Sequence, residues 1–281
     1  MKSELRGDTQ VGMAVPVDRL VAGTGGLGCL LIHGLTGTPA EMMPIAAALA
    51  GRYPLWVTRV AGHATSVTDL AATSWHEWYD SATAGANALT AATPRIVVIG
   101  LSMGALLAMH LAIERPAAVA GLVLLSPAIA LRRRLARWFS VPLRVLGAAD
   151  ARYAPLREAL ARIVFSKAGS DIADRNVRAH HPGYRQVPLR ALLNLLALQR
   201  AARRDAPRIT QPALVIHALQ DHTCPVAAAR ALYARLGSHE KRLALLGKSF
   251  HVVTVDCERE RVLDEITGFV AALESGATPG G

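Results

Sequence analysis

The stretch VVIGLSMGAL, residues 97–106, decides how this sequence folds. It is an apolar run that ends in Gly-Leu-Ser-Met-Gly, and a helix-like segment, MGALLAMHLAIE (103–114), follows it. The pattern G-x-S-x-G between a strand and a helix is typical of a sharp turn that exposes a serine. Gly100 and Gly104 would remove the side chains that crowd such a turn. We therefore predict that Ser102 is a nucleophile, and the alternative is an ordinary turn residue.

Five further apolar runs of strand length lie on both sides of this stretch. They are short and continuous, as is typical of strands covered on both faces. Together with RIVVIG (95–100) they are CLLIHG (29–34), LWVTRV (55–60), GLVLLSP (121–127), ALVIHAL (213–219) and KRLALL (241–246). Segments of helical length and period lie between most of them. Strands that alternate with helices predict an α/β fold with a mostly parallel central sheet flanked by helices.

The alternation stops between residues 128 and 206, where no good strand pattern is found. This segment holds 16 Lys and Arg against 5 Asp and Glu, whereas the rest of the chain is almost neutral. We predict a basic helical cap, or lid, at 128–206, inserted into a core formed by residues 1–127 and 207–281. The segment LRRRLARWF (131–139) would form a basic amphipathic helix in the cap. Contact with an anionic membrane or an anionic substrate is one interpretation of this charge, and a solvated surface is the other.

Two polar residues follow predicted strands in the second half of the chain. Asp221 follows the strand at 213–219, and His251 follows the strand at 241–246. Catalytic groups in open α/β sheets gather at the carboxyl ends of the strands, where Ser102 is also expected. A serine hydroxyl needs a histidine base, and the histidine needs a carboxylate that holds its tautomer. We therefore predict a triad of Ser102, Asp221 and His251.

Other histidines and one cysteine compete for these roles. We expect His222 to point away from the site and His217 to be structural. The pair His180-His181 has no carboxylate or cysteine at a suitable spacing, so we expect it on the surface. Cys224 begins a predicted helix, which would lower the pKa of its thiol, but no second cysteine or base is placed to use it.

Attack by Ser102 would leave a negative charge on the carbonyl oxygen of a substrate. Two backbone N–H groups usually stabilise such an oxyanion. Met103 follows the nucleophile and is expected to supply one of them. The loop His33–Gly37 after the first strand is expected to supply the other, with Leu35 as the candidate.

Composition indicates an ordinary intracellular protein. The three cysteines, Cys29, Cys224 and Cys257, are widely spaced and form neither a metal motif nor a disulfide framework. No apolar stretch has the length of a transmembrane helix, and the first 20 residues lack the apolar core of a secretory signal. We predict a cytoplasmic protein without a nucleic-acid partner.

Several of these segments together resemble a known family. This family is the small bacterial carboxylesterases and monoacylglycerol lipases of the α/β-hydrolase fold. The resemblance covers roughly residues 28–127 and 207–275, and it is carried by the segments LLIHGLTGTPAEM, VAGHAT, GLSMGA, LQDHTCP and FHVVTVDCERE. The resemblance implies the triad Ser102, Asp221 and His251, with Leu35 and Met103 as oxyanion donors. It also implies hydrolysis of short- or medium-chain acyl esters, including monoacylglycerols, without a metal or a cofactor. The insertion would then be a lid over the acyl pocket.

Two other functions are compatible with these residues. A thioesterase or acyltransferase acting on an acyl-CoA-like substrate would use the same triad, and the basic cap would suit its anionic carrier. A receptor that keeps the fold but binds a ligand without hydrolysing it belongs to a different class. Turnover of p-nitrophenyl esters and of acyl-CoAs distinguishes these functions.

Overall fold

A single parallel sheet forms the centre of the molecule. The computed structural model describes residues 17–132 and 154–277. Six strands pair in the order β2-β1-β3-β4-β7-β8, and all neighbours are parallel. They are β1 (Leu27–Ile32), β2 (Leu55–Thr58), β3 (Arg95–Leu101), β4 (Val119–Leu125), β7 (Ala213–Ala218) and β8 (Lys241–Leu246). The predicted mostly parallel sheet is therefore confirmed, and each of the six predicted strands is present.

Helices cover both faces of this sheet. Those outside the inserted segment are α1 (Met43–Leu49), α2 (Val67–Ala72), α3 (Trp75–Thr90), α4 (Met103–Glu114), α8 (Val226–Arg235) and α9 (Arg259–Ser275). Successive residues of β1 point to opposite faces. Leu30 and Ile32 join the core beneath α3 and α4, whereas Cys29 and Leu31 join the core beneath α1 and α9. Burial on both faces explains why the strands are continuous apolar runs.

The segment between β4 and β7 is not entirely helical, which corrects the prediction of an insertion without strands. Its described part consists of α5 (Ala154–Ala161), β5 (Val164–Ser166), α6 (Arg175–His180), β6 (Gln186–Pro188) and α7 (Leu189–Asp205). The strands β5 and β6 form a separate antiparallel pair. Each has three residues, and every residue of β5 is exposed, so neither strand leaves a pattern of buried positions in the sequence.

The last helix of this segment, α7, packs on α4, α3 and α2. The Gln199 side chain donates a hydrogen bond to the carbonyl of Ala128, at the start of the predicted insertion. The predicted helix at 131–139 lies outside the described residues except for Leu131 and Arg132. The division into a core and a cap stays a prediction.

In the two described ranges, no helix is both long enough and apolar enough to cross a membrane.

Candidate active site

Ser102 lies at the sharp turn between β3 and α4. Its backbone has φ 56° and ψ −109°, which is outside the regions that non-glycine residues normally adopt. A Cβ atom added to Gly100 would lie 2.3 Å from the Gly104 carbonyl oxygen. A Cβ atom added to Gly104 would lie 2.2 Å from the carbonyl oxygen of Ile32 in β1. The two glycines therefore allow the close approach of backbone segments that the turn requires.

The structure brings Ser102, His251 and Asp221 together. The Ser102 Oγ atom lies 2.8 Å from His251 Nε2, and His251 Nδ1 lies 2.7 Å from Asp221 Oδ2. All three residues are buried, and Asp221 is fully inaccessible to solvent. The other carboxylate oxygen, Oδ1, accepts hydrogen bonds from the N–H groups of Thr223 and Cys224 at 2.8 and 2.7 Å. These bonds hold the carboxylate in one orientation toward the imidazole.

Asp221 and His251 each stabilise the charged form of the other. Burial alone would lower the pKa of His251, but the charge and the hydrogen bond of Asp221 outweigh burial and raise the pKa above its ordinary value. Burial would likewise raise the pKa of Asp221, but the interaction with His251 lowers it. The arrangement thus favours an ionised carboxylate beside an imidazole that accepts a proton readily.

The loop after β1 lies directly against Ser102. A Cβ atom added to Gly34 would lie 3.2 Å from Ser102 Cβ. The buried ring of His33 holds this loop, because its Nδ1–H donates to the Gly34 carbonyl and its Nε2 accepts the Val60 N–H, at 2.9 and 3.2 Å. Burial lowers the pKa of His33, which favours the neutral ring that this pair of bonds requires.

Leu35 and Met103, the predicted oxyanion donors, lie on the two segments that meet at Ser102. Leu35 belongs to the loop after β1, and Met103 is the first residue of α4. Within the described part of the chain, neither backbone N–H donates a hydrogen bond to another protein group. Both groups are therefore available to a bound ligand.

A cavity of about 530 Å³ is lined by Ser102 and His251. Much of the remaining lining comes from the inserted segment. Apolar side chains in the lining include Leu131, Phe165, Val187, Leu192 and Leu195. Polar side chains in the lining include Thr36, Glu41, Lys167, Ser170 and Asp171. The cavity can accept an apolar chain together with a polar group.

Asp171 is a site residue that the sequence patterns did not reveal. Its carboxylate accepts hydrogen bonds from His222 N and Nδ1, at 2.8 and 2.9 Å, and from Thr223 Oγ1 at 3.1 Å. Its backbone carbonyl accepts the Val252 N–H at 3.1 Å. The inserted segment is therefore bonded to the loops that carry Asp221 and His251. No local motif surrounds Asp171, so only the fold reveals this connection.

The competing histidine His222 lies outside the relay of hydrogen bonds that joins Ser102, His251 and Asp221, whereas His217 borders its carboxylate. His222 is exposed and pairs with Asp171, as expected of a residue that points away from Ser102. His217 is fully buried, with its Nε2 atom 3.2 Å from the Cys224 carbonyl oxygen and 3.4 Å from Asp221 Oδ2. It therefore supports the loop of the acid, in agreement with a structural role.

Two expectations about these competitors were wrong. Burial raises the pKa of the Cys224 thiol well above its ordinary value, and the charge of Asp221 adds to this effect. The side chain of His181 is only 4% exposed, and its Nε2 atom lies 3.3 Å from Glu41 Oε1. Glu41 is distant in sequence, so the spacing of residues near His181 did not reveal this carboxylate. His180 is exposed, as expected.

Among the described residues, one group of side chains has the composition and proximity of metal ligands. Asp221, Cys224 and His251 offer ligand atoms within 4.8 Å of one another. Two of these atoms, Asp221 Oδ2 and His251 Nδ1, already bond each other. The thiol of Cys224 is also held in its protonated form by burial. These side chains therefore serve the relay better than they would serve a metal ion.

Comparison with known proteins identifies relatives of the same fold. A family model described as serine aminopeptidase, S33 (Hydrolase_4) matches residues 28–258. A thermostable monoacylglycerol lipase from Bacillus sp. strain H-257 is 30% identical over 251 residues, which span 89% of this chain and 92% of the lipase.

Solved structures give the same result. A structure from work on the metagenome-derived lipolytic enzymes LipS and LipT has a TM-score of 0.77 and 28% identity, and the match covers 92% of this chain and 99% of that chain. The monoacylglycerol lipase of Paleococcus ferrophilus has a TM-score of 0.72 and 18% identity, with 92% and 98% covered. The second similarity is one of fold.

Proposed function

Because this chain belongs to the Hydrolase_4 (serine aminopeptidase, S33) family and is a serine hydrolase of the esterase and monoacylglycerol lipase type, we propose that it cleaves short- to medium-chain acyl esters, including monoacylglycerols, through an acyl-enzyme on Ser102. The observation that carries this proposal is the continuous relay from Ser102 Oγ to His251 and Asp221, with bonds of 2.8 and 2.7 Å. A relay of this kind makes a serine hydroxyl nucleophilic.

Acylation begins when Ser102 Oγ attacks the carbonyl carbon of the ester. His251 Nε2 accepts the hydroxyl proton, and Asp221 stabilises the resulting imidazolium. The negative charge on the former carbonyl oxygen is stabilised by the N–H groups of Leu35 and Met103. His251 then gives its proton to the leaving alcohol, the carbon–oxygen bond to the alcohol breaks, and the acyl group remains on Ser102.

Deacylation repeats these steps with water. His251 removes a proton from a water molecule, which attacks the acyl-enzyme. The second oxyanion is stabilised by the same two N–H groups. When it collapses, the acid leaves and Ser102 Oγ recovers the proton from His251. The apolar part of the cavity, with Leu192 and Leu195, suits the acyl chain, and a volume of about 530 Å³ favours a short or medium chain.

The test of this proposal is turnover of esters with graded acyl chains by the parent chain and by Ser102→Ala. The alanine variant should retain its fold and lose about three orders of magnitude in kcat or more, because binding and the oxyanion donors supply only the residual catalysis. A serine-directed fluorophosphonate should label Ser102 in the parent. Near-normal turnover by Ser102→Ala, or a label on another residue, would overturn the assignment.

The assignment of the base has a matched control in the adjacent loop. His251→Ala should be as damaging as the loss of Ser102, whereas His222→Ala should have a mild effect. His222 is exposed and bonded to Asp171, outside the relay. An inactive His222→Ala beside an active His251→Ala would reverse the two roles.

A second candidate activity is hydrolysis of acyl-CoA-like thioesters, and a second cavity favours it. This cavity has a volume of about 220 Å³ and is lined by Arg175, Arg178 and Arg185. Within the described residues, these guanidinium groups form no ion pair with a carboxylate. Gly169 and Ser170 line both this cavity and the one at Ser102. Arginines grouped in this way bind phosphate groups, which an acyl-CoA carries and a monoacylglycerol lacks.

Substrate comparison separates the two activities. If acyl-CoA is a substrate, Arg178→Gln should raise its KM several-fold and leave the KM of a neutral p-nitrophenyl ester unchanged. Equal kinetics of Arg178→Gln and the parent with acyl-CoA would exclude this role. A lack of turnover with both esters and thioesters would favour the alternative of a non-hydrolysing receptor.

A further inference from the structure

Thr36, the residue after the candidate oxyanion donor Leu35, has an unfavourable backbone conformation. Its φ is 62°, in the left-handed region, where a branched β-carbon crowds the backbone. A residue keeps such a conformation only when its surroundings hold it there, and strain of this kind is often found at functional sites. The question is therefore which groups hold Thr36.

Two residues that flank the strands β5 and β6 of the inserted segment hold Thr36. Lys167 follows β5, and its Nζ atom donates to Thr36 Oγ1 at 2.6 Å. Tyr184 precedes β6, and its N–H donates to the Thr36 carbonyl at 2.8 Å. A Cβ atom added to Gly183 would lie 3.0 Å from the same carbonyl oxygen, so the two backbones are in close contact.

The two contacts act as one unit because the strands are bonded to each other. The Lys167 N–H donates to the Arg185 carbonyl at 2.9 Å, which continues the pairing of β5 with β6. The Tyr184 hydroxyl also accepts the Thr65 N–H at 2.8 Å, so this end of the sheet is fixed to the core. A shift of the sheet would therefore move both groups that hold Thr36.

The Lys167 ammonium is committed to this contact. Its side chain is only partly exposed, and within the described residues no carboxylate lies at ion-pair distance. Burial lowers its pKa, against the opposing effect of the Glu41 charge. Its one side-chain hydrogen bond in the described part of the chain goes to Thr36.

We propose that Lys167 is a positioning residue that holds the oxyanion loop through Thr36. The inserted segment then contributes to stabilisation of the transition state in addition to lining the cavity. This inference rests on the proposed function, because it requires Leu35 N–H to be an oxyanion donor. Without the lysine contact, Thr36 can relax toward negative φ. The Leu35–Thr36 peptide then rotates, the backbone of Leu35 shifts with the loop, and the Leu35 N–H leaves its position beside Ser102.

The predicted effect falls on kcat. Loss of an oxyanion-hole donor costs about 10²–10³ in kcat in a serine protease, and a displaced donor costs less than an absent one. Lys167→Met keeps the length of the side chain and removes the ammonium. We expect kcat to fall about 10- to 100-fold, with KM within about twofold of the parent. Affinity for a trifluoromethyl ketone, whose serine adduct carries an oxyanion, should fall by a similar factor.

The experiment compares Lys167→Met with Arg162→Met, using a neutral p-nitrophenyl ester and the trifluoromethyl ketone. Arg162 is an exposed cation of the same segment that lines neither cavity, so its variant should behave as the parent. Thr36→Val removes the other partner of the bond and should reproduce Lys167→Met. Thr36→Ser keeps the hydroxyl and should retain most of the activity. The double variant Lys167→Met/Thr36→Val should be no worse than either single variant, because both remove one bond.

Three results would overturn the inference. The first is a raised KM in Lys167→Met with unchanged kcat and inhibitor affinity. The second is additive losses of kcat in the double variant. The third is a loss of kcat in Thr36→Ser equal to that in Thr36→Val. If Lys167→Met fails to fold, the comparison of Thr36→Ser with Thr36→Val decides. A parent chain without esterase activity, or an active Ser102→Ala variant, would instead refute the proposed function.

Discussion

Under the proposed mechanism, the charge of Asp221 determines the pH range in which His251 acts as a base. Only the neutral imidazole accepts a proton, and Asp221 raises the pKa of His251 above its ordinary value against the effect of burial. We therefore expect kcat/KM for a neutral ester to decrease as the pH falls through an apparent pKa above about 6.5, the ordinary value for histidine. The measurement is the pH profile of the parent chain.

Asp221→Asn tests the cause of this shift. The variant loses the charge but keeps the burial, so the acidic limb of the profile should move to lower pH. At the same time kcat should fall by up to about 10⁴-fold, as in a serine protease with the same change. The matched variant Asp264→Asn changes an exposed carboxylate on α9 and should leave the profile unaltered. An acidic limb that stays in place in Asp221→Asn would contradict this account.

Two helical glycines, Gly104 in α4 and Gly268 in α9, should respond oppositely to alanine. In Gly104→Ala the new methyl group would meet the backbone oxygens of Ile32 and His33 at 2.2 and 2.7 Å. We expect a loss of about 1–3 kcal/mol in the free energy of unfolding, because a packed site must expand, and a large loss of activity at the displaced loop. A Cβ atom added to Gly268 would have no atom within 4 Å apart from its chain neighbours and the backbone of its own helix. The free energy of unfolding of Gly268→Ala should therefore rise by about 0.5–1 kcal/mol. Urea unfolding measures both, and a neutral Gly104→Ala would refute the packing explanation.

Candidate site residues that directly follow a core strand could be found in the sequence. Residues of the insertion that contact the core could not. Ser102 lies within a motif, and Asp221 and His251 each follow an apolar run, so their convergence was predictable from sheet geometry. Lys167 and Asp171 contact residues more than 50 positions away. No local pattern records such contacts, because they depend on how the insertion folds back over the sheet.

At the scale of elements, burial explains what the sequence revealed. Five of the six core strands are buried over most of their length and are therefore visible as apolar runs. The edge strand β8 is buried only at Ala244 and Leu246, but it is still rich in leucine. The helix α3 also has a local signal in the sequence, because Ser74 and Glu77 form a capping box at its start. The strands β5 and β6 have three residues each, and β5 is exposed throughout, so they leave no such pattern and were missed.

Asp256 connects the inserted segment to the loop of His251. Its carboxylate accepts the N–H groups of Ala173 and Asp174 in the insertion and those of Phe250 and Cys257 beside it. Burial acts to raise the pKa of Asp256, but these four bonds outweigh burial and lower it. The carboxylate therefore stabilises the fold above its unfolded pKa of about 3.9, and this stabilisation is lost as the pH falls through the lower folded pKa.

Asp256→Asn should weaken this connection at neutral pH. We expect a loss of about 1.5–3 kcal/mol in the free energy of unfolding at pH 7, since hydrogen bonds to a charged group are replaced. The difference from the parent should shrink as the pH falls below about 4, where the unfolded carboxylate becomes protonated, and should disappear below the lower pKa of the folded carboxylate. Chemical denaturation at a series of pH values measures it, with the exposed Asp264→Asn as the control. A difference that stays constant with pH would show that charge is not involved.

At the scale of the whole molecule, the net charge of +10 is concentrated in residues 128–206. Replacing Arg132, Arg133, Arg134 and Arg137 with glutamine should weaken binding to anionic lipid vesicles if the basic cap contacts a membrane. The effect should shrink with added salt, because exposed charges are screened beyond about 10 Å at 0.1 M. Of these four arginines the structure describes Arg132, which is exposed.

Vesicle flotation at low and high salt measures this binding. A control variant removes four exposed arginines outside the cap, Arg19, Arg95, Arg230 and Arg259, and should bind as the parent does. Turnover of a small neutral ester should hardly change in either variant. Equal vesicle binding by the cap variant and the parent at low salt would leave the basic cap as a solvated surface.

The pairing of β4 with β7 has a consequence for folding during synthesis on the ribosome. A chain synthesised as far as β4 already contains Ser102 and the loop that faces it, but neither Asp221 nor His251. Domains fold from the N-terminus onward as they are synthesised. The strand β7 can pair with β4 only after the whole insertion between them has been made, and pairing over such a sequence distance is slow. Under the proposed mechanism, Ser102 therefore has no base to activate it while the first half of the chain is being made. If Ser102, Asp221 and His251 act as proposed, hydrolytic activity can appear only after β8 and the loop of His251 have been made.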